Sequence, residues 1–155
     1  MPFSVFVSHS MRPVDLPLLR GVCEHLSLYD ITYYLAERDW RFGETLPARV
    51  ESAIRRADCV LAFLTKDGES AAYVNQEVSL ALTAKKAIIP VSEKGADLSA
   101  FRAGMDYIEL DRDAPQDCAT KLTARLNGVN ASQDIRSAMC WAVIATAGLM
   151  FLGRG

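Results

Sequence analysis

Short apolar runs alternate with longer segments of mixed polarity through most of the chain. The runs are rich in β-branched and aromatic residues and are about 4–8 residues long, which predicts β-strands. Five strands are predicted, at 3–7, 31–36, 59–64, 87–91 and 107–110. The third run is apolar throughout, as is typical of a central strand covered on both faces. Because Pro90 has no N–H group to donate, the fourth strand is predicted to lie at an edge of the sheet or to have this proline at its end.

The segments between the strands carry apolar residues every three or four positions, which predicts amphipathic helices. Four are predicted, at 14–29, from Leu46 or Pro47 to 57, from Tyr73 to about 86, and at 114–126. The last is predicted to end at Asn127-Gly128, because glycine often follows the final turn of a helix. Alternating strands and helices favour an α/β fold. We expect a flavodoxin-like three-layer arrangement with a five-stranded parallel sheet in the middle.

The helix that begins at Tyr73 combines an apolar stripe with one acidic residue. The stripe is predicted to consist of Val74, Val78, Ala81 and Leu82. At about 100° per residue, Glu77 falls at the margin of this stripe, and Tyr73 lies one turn below it. The carboxylate is therefore expected to face a cleft without being buried. A carboxylate beside an aromatic ring at the edge of an α/β core suits a site for a sugar or a nucleotide.

Ligands of such sheets bind beyond the carboxyl ends of the strands. Ser8 and His9 follow the first predicted strand, where a nucleotide can pack. Arg38, Asp39 and Trp40 lie in the loop after the second strand. An exposed tryptophan there would contact either a ligand or a neighbouring subunit.

Composition and charge exclude several classes of function. With 155 residues, half of them hydrophobic and 23% charged, the chain is long enough for one domain with a packed core. The net charge is −2 and no lysine–arginine stripe is present, which argues against nucleic-acid binding. There is no C-x-x-C pair and there are only two histidines, so no metal site is expected. The four scattered cysteines are expected to be reduced, as in a cytoplasmic protein.

The last part of the chain differs from the rest. No signal peptide precedes the first strand. Residues 130–133 have the character of a linker, and residues 138–152 are apolar. Counting Ser137 and Gly153, the apolar segment reaches about 17 residues, the lower limit for a spanning helix. A short anchor in the inner membrane, a helix in an oligomer contact and an additional core helix are all compatible with this length. We therefore divide the chain into a domain at 1–128 and a tail at 129–155.

Several common motifs are absent. The sequence contains no P-loop, no G-x-G-x-x-G and no G-x-S-x-G. A phosphoacceptor receiver domain would need an acidic pair after the first strand to hold Mg²⁺, and the residues there are Ser8-His9-Ser10. Nucleotide hydrolysis on a P-loop, Rossmann dehydrogenation, α/β-hydrolase chemistry and phosphoacceptor signalling are all disfavoured.

Five segments together resemble the Toll/interleukin-1 receptor (TIR) domain family. They are Val5–His9 in the first strand, Asp39–Glu44 at the position of the BB loop, Ile54–Leu64 in the following helix and strand, Tyr73–Glu77 as the aromatic-x-x-x-Glu element, and Ala87–Val91 in the fourth strand. The resemblance covers about residues 3–127. Two positions differ from many members, which have tyrosine in place of His9 and tryptophan in place of Tyr73.

The resemblance implies an NAD+ glycohydrolase of the bacterial type, acting in anti-phage or stress defence. Glu77 would be the catalytic carboxylate, and Ser8, His9, Arg38, Asp39, Trp40 and Tyr73 would bind the substrate. The product would be ADP-ribose or a cyclic or conjugated form of it. Since NAD+ is the substrate, neither a cofactor nor a metal is implied. Self-association would use the Asp39–Glu44 loop and, in addition, the apolar helix at 137–153.

Two other functions remain open. Many TIR domains are non-enzymatic modules that bind other TIR domains in signalling, and Trp40 would then belong to the contact surface. A module that binds a nucleotide without cleaving it is the third possibility. The enzyme is favoured because Glu77 and Tyr73 are both present at the spacing that catalysis needs.

Overall fold

The computed structural model describes residues 2–10, 12–35, 47–66, 71–98 and 105–130 of the chain. Its strands are β1 Phe3–His9, β2 Ile31–Leu35, β3 Cys59–Leu64, β4 Ala87–Glu93 and β5 Ile108–Leu110. Its α-helices are α1 Leu16–Ser27, α2 Ala48–Arg56, α3 Ala71–Thr83 and α4 Pro115–Asn130. One turn of 3₁₀ helix at Pro13–Asp15 precedes α1.

The strands form one parallel sheet in the order β2-β1-β3-β4-β5. This is the flavodoxin-like order, and the predicted fold class is confirmed. One face of the sheet packs against α1 and α4, and the other against α2 and α3. All six residues of β3 are buried, which confirms that this strand lies at the centre. The parallel arrangement brings the carboxyl ends of all five strands to one edge, which we call the carboxyl edge.

Helices α1 and α2 each bury an apolar stripe. Leu19, Val22, Cys23 and Leu26 of α1 are at most 2% exposed, and Val50 and Ile54 of α2 are equally buried. Pro47 lies at the N-cap of α2, one position before the first helical residue. Its fixed φ suits the start of a helix, where a missing N–H costs nothing.

Pro90 lies inside the sheet, so the prediction of an edge strand is wrong. β4 runs on to Glu93 and has β3 on one side and β5 on the other. Proline is tolerated because β5 is short: its pairing with β4 begins only at Val91, opposite Ile108. On the β3 side, Pro90 is aligned with Ala62. On the β5 side, it lies one residue before the first paired residue, Val91.

The last described helix is longer than predicted. α4 continues through Asn127 and Gly128 to Asn130. Val129 is fully buried among the residues that cover the α1 face of the sheet. Burial of this side chain outweighs the weak helix propensity of the glycine before it. The predicted domain boundary after residue 128 thus falls inside α4.

Three cysteines are buried thiols. Cys23, Cys59 and Cys118 form no disulfide within the part of the chain that the structure describes. Burial raises the pKa of Cys23 to about 12 and that of Cys118 to about 11, so neither forms a reactive thiolate near neutral pH. Cys140 lies outside the described residues, as does the apolar segment 137–153. Among the helices that the structure describes, none is both long and apolar enough to cross a membrane.

Candidate functional site

Glu77 lies in the middle of the buried face of α3. Its side chain is fully buried, and so are Val74 and Ala81 on either side of it along the helix. The expectation that this carboxylate faces a cleft without being buried is therefore wrong. The predicted stripe included Leu82, but Leu82 is only half-buried. The face that packs on the sheet is rotated toward Glu77, because α3 lies across β1, β3 and β4.

Ser8, a residue of the sheet, is hydrogen-bonded to the Glu77 carboxylate on α3. The Ser8 hydroxyl donates a short hydrogen bond to Oε2 of Glu77, and both side chains are fully buried. Ser8 is the sixth residue of β1, so the strand extends beyond Val7, where a loop was expected to begin. A hydroxyl that donates to one carboxylate oxygen satisfies that oxygen and helps to orient the group. The structure thus brings together two of the predicted site residues, one from β1 and one from α3.

His9 is also buried but lies on the opposite face of the sheet. Successive side chains of a strand point to opposite faces. His9 is aligned with Phe63, which belongs to the cluster under α1 and α4, whereas Ser8 is aligned with Ala62 under α2 and α3. The prediction placed Ser8 and His9 in one nucleotide site, but the pleat of β1 separates them.

Tyr73 lies on α3 one turn before Glu77 and is half-buried. This position agrees with the spacing on which the sequence prediction was based. Its role in binding a substrate stays a prediction. Arg38, Asp39 and Trp40 lie outside the described residues, as does the Asp39–Glu44 loop.

Two further hydroxyl residues at the carboxyl edge escaped the sequence analysis. Ser10 and Thr65 are 3% and 7% exposed, and their hydroxyl oxygens lie 3.3 Å apart. The Thr65 amide donates to the Ser10 hydroxyl at 3.0 Å, and the Ser10 amide donates to the Phe63 carbonyl at 3.1 Å. These bonds tie the end of β1 to the end of β3, two residues beyond Ser8.

A charged network on the same edge was missed as well. Arg112, just after β5, donates to both carboxylate oxygens of Glu93 and, at 2.6 Å, to Asp15. The Lys66 amide donates to Glu93 at 3.0 Å. Arg112 is 97 residues from Asp15 and 19 from Glu93, so no local pattern signals these contacts.

The network lowers the pKa of both carboxyl groups. For Asp15, the hydrogen bond from Arg112 is the main cause, and burial opposes it. Burial alone would raise the pKa of Glu93, but hydrogen bonds from Arg112 and from the Lys66 amide outweigh it and lower this pKa as well. Both groups are therefore ionised in the folded protein at neutral pH.

We expect this network to make the fold acid-sensitive. In the unfolded chain, the two carboxylates take up protons near their ordinary pKa values of 3.8 and 4.5, and in the folded chain only at lower pH. Their contribution to stability is thus complete above these values and is lost as the pH falls through the lowered ones. Urea unfolding at about pH 7 and about pH 3 should show Arg112→Ala less stable than wild type at the higher pH, with a smaller difference at the lower. A constant difference across this range would contradict the assignment.

A cavity of about 210 Å³ lies at the other end of the sheet. Its lining includes Ser4, Thr32, Tyr34 and Arg56, near the starts of the strands and the end of α2. Neither Ser8 nor Glu77 is among the residues that line it. The cavity is therefore separate from the candidate site at the carboxyl edge.

Several solved structures are similar to this chain, and those with a TM-score above 0.5 share its fold. The TIR domains of the activated Roq1 resistosome that recognises the pathogen effector XopQ are 16% identical, with 94% of this chain and 84% of that chain covered and a TM-score of 0.49. The CMP N-glycosidase BcmB of Clostridium botulinum is 17% identical, with 77% and 97% covered and a TM-score of 0.53. A diflavin flavoprotein A3 from Nostoc sp. is 14% identical, with 79% and 90% covered and a TM-score of 0.52. At these identities the likeness concerns the fold alone.

A family model gives a more specific result. No match was found among the curated proteins. The model described as a TIR domain matches residues 5–126, which extend from β1 into α4 and include Ser8, Glu77, Glu93 and Arg112. The resemblance noted in the sequence is thereby confirmed over most of the chain, and this protein belongs to the TIR domain family.

Proposed function

We propose that this TIR domain cleaves NAD+ at the bond between nicotinamide and ribose. The observation that carries the proposal is the Glu77 carboxylate, held by the Ser8 hydroxyl at the carboxyl edge of a parallel sheet. Ligands of flavodoxin-like sheets bind at this edge. Burial of a carboxylate is costly for folding, and buried ionisable groups are concentrated at functional sites.

The chemistry needs only one carboxylate. The bond from ribose C1′ to the pyridinium nitrogen breaks, its electron pair remains on nitrogen, and nicotinamide leaves as a neutral molecule. The ribose becomes an oxocarbenium-like cation, which a nearby carboxylate stabilises. Water then attacks C1′ and releases a proton, so that NAD+ and water yield ADP-ribose, nicotinamide and H⁺. A hydroxyl of a second ribose or nucleotide in place of water would give a cyclic or conjugated product.

Full burial of Glu77 adds a condition to this mechanism. A ribose can contact the carboxylate only after the groups that cover it have moved. Activity should therefore depend on a step that opens the site. Self-association through the Asp39–Glu44 loop, which the family resemblance implies, is the step we propose. The loop lies outside the described residues.

The test is direct. The full-length chain is incubated with NAD+ over a range of protein concentrations. Nicotinamide and the nucleotide product are then separated by chromatography and identified by mass spectrometry. We expect nicotinamide release that rises more steeply than in proportion to protein concentration. CMP serves as a second substrate, because a protein of similar fold is a CMP N-glycosidase. Release of cytosine without release of nicotinamide would redirect the proposal to another N-ribosyl bond.

The burial of Glu77 also favours a second candidate function. In this case the buried hydrogen bond between Ser8 and Glu77 has a structural role alone, which is to join α3 to β1. The protein would then be a non-enzymatic module that binds other TIR domains. Concentration-dependent self-association with no loss of NAD+ would support this alternative against the enzyme.

A further inference from the structure

All three guanidinium nitrogens of Arg112 donate hydrogen bonds to carboxylates of this protein. Nε and Nη2 both donate to the Glu93 carboxylate, and Nη1 donates to Asp15 at 2.6 Å. Glu93 is 5% exposed and the Arg112 side chain 32% exposed. We call Asp15, Glu93 and Arg112 the edge clamp. A two-pronged bond between a planar guanidinium and a carboxylate fixes direction as well as distance.

The edge clamp joins four segments of the chain at the carboxyl edge. Arg112 follows β5, Glu93 ends β4, and Asp15 immediately precedes α1. The fourth segment is the exit of β3, where the Lys66 amide donates to Oε2 of Glu93 at 3.0 Å. Arg112 and the Lys66 amide thus bond directly to the almost completely buried Glu93 carboxylate, and Asp15 joins them through Arg112.

The β3 exit connects the clamp with the candidate site. Thr65, the residue before Lys66, donates its amide to the hydroxyl of Ser10 at 3.0 Å. Ser10 lies two residues beyond Ser8, whose hydroxyl holds Glu77. On the other side, the chain that leaves Lys66 leads to α3, the helix that carries Glu77. The β3 exit is therefore linked to the Ser8 side by hydrogen bonds and to the Glu77 side by the course of the chain.

We propose that Arg112 is a positioning residue for the Ser8–Glu77 pair, acting through Glu93 and the backbone of Lys66. This inference rests on the proposed NAD+ cleavage, which it deepens. Arg112 contacts neither Ser8 nor Glu77 in the described contacts. Its role is therefore to position the Glu77 carboxylate, which itself acts on the substrate. A shift of about 1 Å in a group that stabilises a transition state can cost about 10²-fold in rate.

The chain offers a matched control. Arg125 on α4 donates to Asp106 at 2.8 Å, and Asp106 precedes β5. This ion pair has an arginine as exposed as Arg112, at 31%, but it lies at the opposite end of β5. Arg125→Ala removes an equally exposed arginine and its single bond to Asp106, which is 82% exposed, without touching the carboxyl edge.

The experiment compares the full-length wild type with Arg112→Ala, Arg112→Lys and Arg125→Ala. From nicotinamide release as a function of NAD+ concentration, we expect kcat of Arg112→Ala to fall about 10–100-fold with a much smaller change in KM. Arg112→Lys should recover part of kcat, because an ammonium can reach Glu93 but cannot form the fork. This variant also guards against poor folding of Arg112→Ala. Arg125→Ala should match wild type.

Hydrogen exchange supplies a readout that does not need activity. The amides of Thr65 and Lys66 should exchange at least about 10-fold faster in Arg112→Ala, while core amides of β3 stay protected. Equal kcat for Arg112→Ala and Arg125→Ala, or uniform loss of protection throughout the sheet, would overturn the positioning role. An inactive wild type would overturn the proposed function and the positioning role together. Active wild type with an unaffected Arg112→Ala would overturn the positioning role alone.

Discussion

Glu77→Gln should abolish nicotinamide release while leaving the fold intact. The amide has the shape of the carboxylate, and its carbonyl oxygen can still accept a hydrogen bond from the Ser8 hydroxyl. It carries no negative charge, so it cannot stabilise the oxocarbenium-like ribose. Removing one group that is aligned with the developing charge typically costs about 10²–10³ in rate, and we expect a loss of this size for Glu77→Gln.

The control for this variant is Glu24→Gln, the same chemical change on the exposed face of α1. Both variants are measured at equal concentration with single-turnover and steady-state nicotinamide assays, after circular dichroism and size-exclusion chromatography establish that each is folded and associates like wild type. Wild-type activity in Glu77→Gln would assign the chemistry to another residue. A loss shared with Glu24→Gln would point to a general effect of charge.

The sequence predicted the sheet well because each strand carries its own signal. Cys59–Leu64 is apolar at every position, and the structure buries all six residues at the centre of the sheet. The alternation of strands with amphipathic helices then leaves few possible topologies. What it could not predict were the ends of elements, where burial competes with local preference. Val129 carries α4 past a glycine, and the late start of β5 pairing accommodates Pro90 inside β4.

The candidate site was predicted only in part, for two physical reasons. The helical period is too coarse to separate the margin of a stripe from its middle, so Glu77 was expected at a cleft and is buried. The two-residue period of a strand places the Ser8 and His9 side chains on opposite faces of β1, so the two cannot belong to one site. The edge clamp was beyond any local pattern, since Arg112 meets Asp15 across 97 positions. Contacts of this kind follow from topology rather than from neighbouring residues.

The largest loss of stability from a single truncation is expected at Phe63. Its ring is fully buried at the centre of the sheet, where Phe63 is aligned with His9 of β1 and Val91 of β4. Phe63→Ala removes the apolar contacts of the ring and leaves a cavity that a central strand cannot close by moving, since strands hold it on both sides. Such truncations cost about 3–5 kcal/mol, which is a large part of the roughly 5–15 kcal/mol that stabilises a typical domain.

Tyr107→Ala is the matched comparison, because this aromatic residue precedes β5 and is 40% exposed. Its truncation should change the free energy of unfolding by no more than about 0.5 kcal/mol. Urea unfolding followed by circular dichroism at neutral pH measures both variants. Similar losses in the two would contradict the assignment of Phe63 to the centre of the core. The Phe63 carbonyl also accepts the Ser10 amide, so a destabilised β3 should loosen the end of β1 that carries Ser8. For this reason we expect Phe63→Ala to lose nicotinamide release at temperatures where most of the protein is still folded.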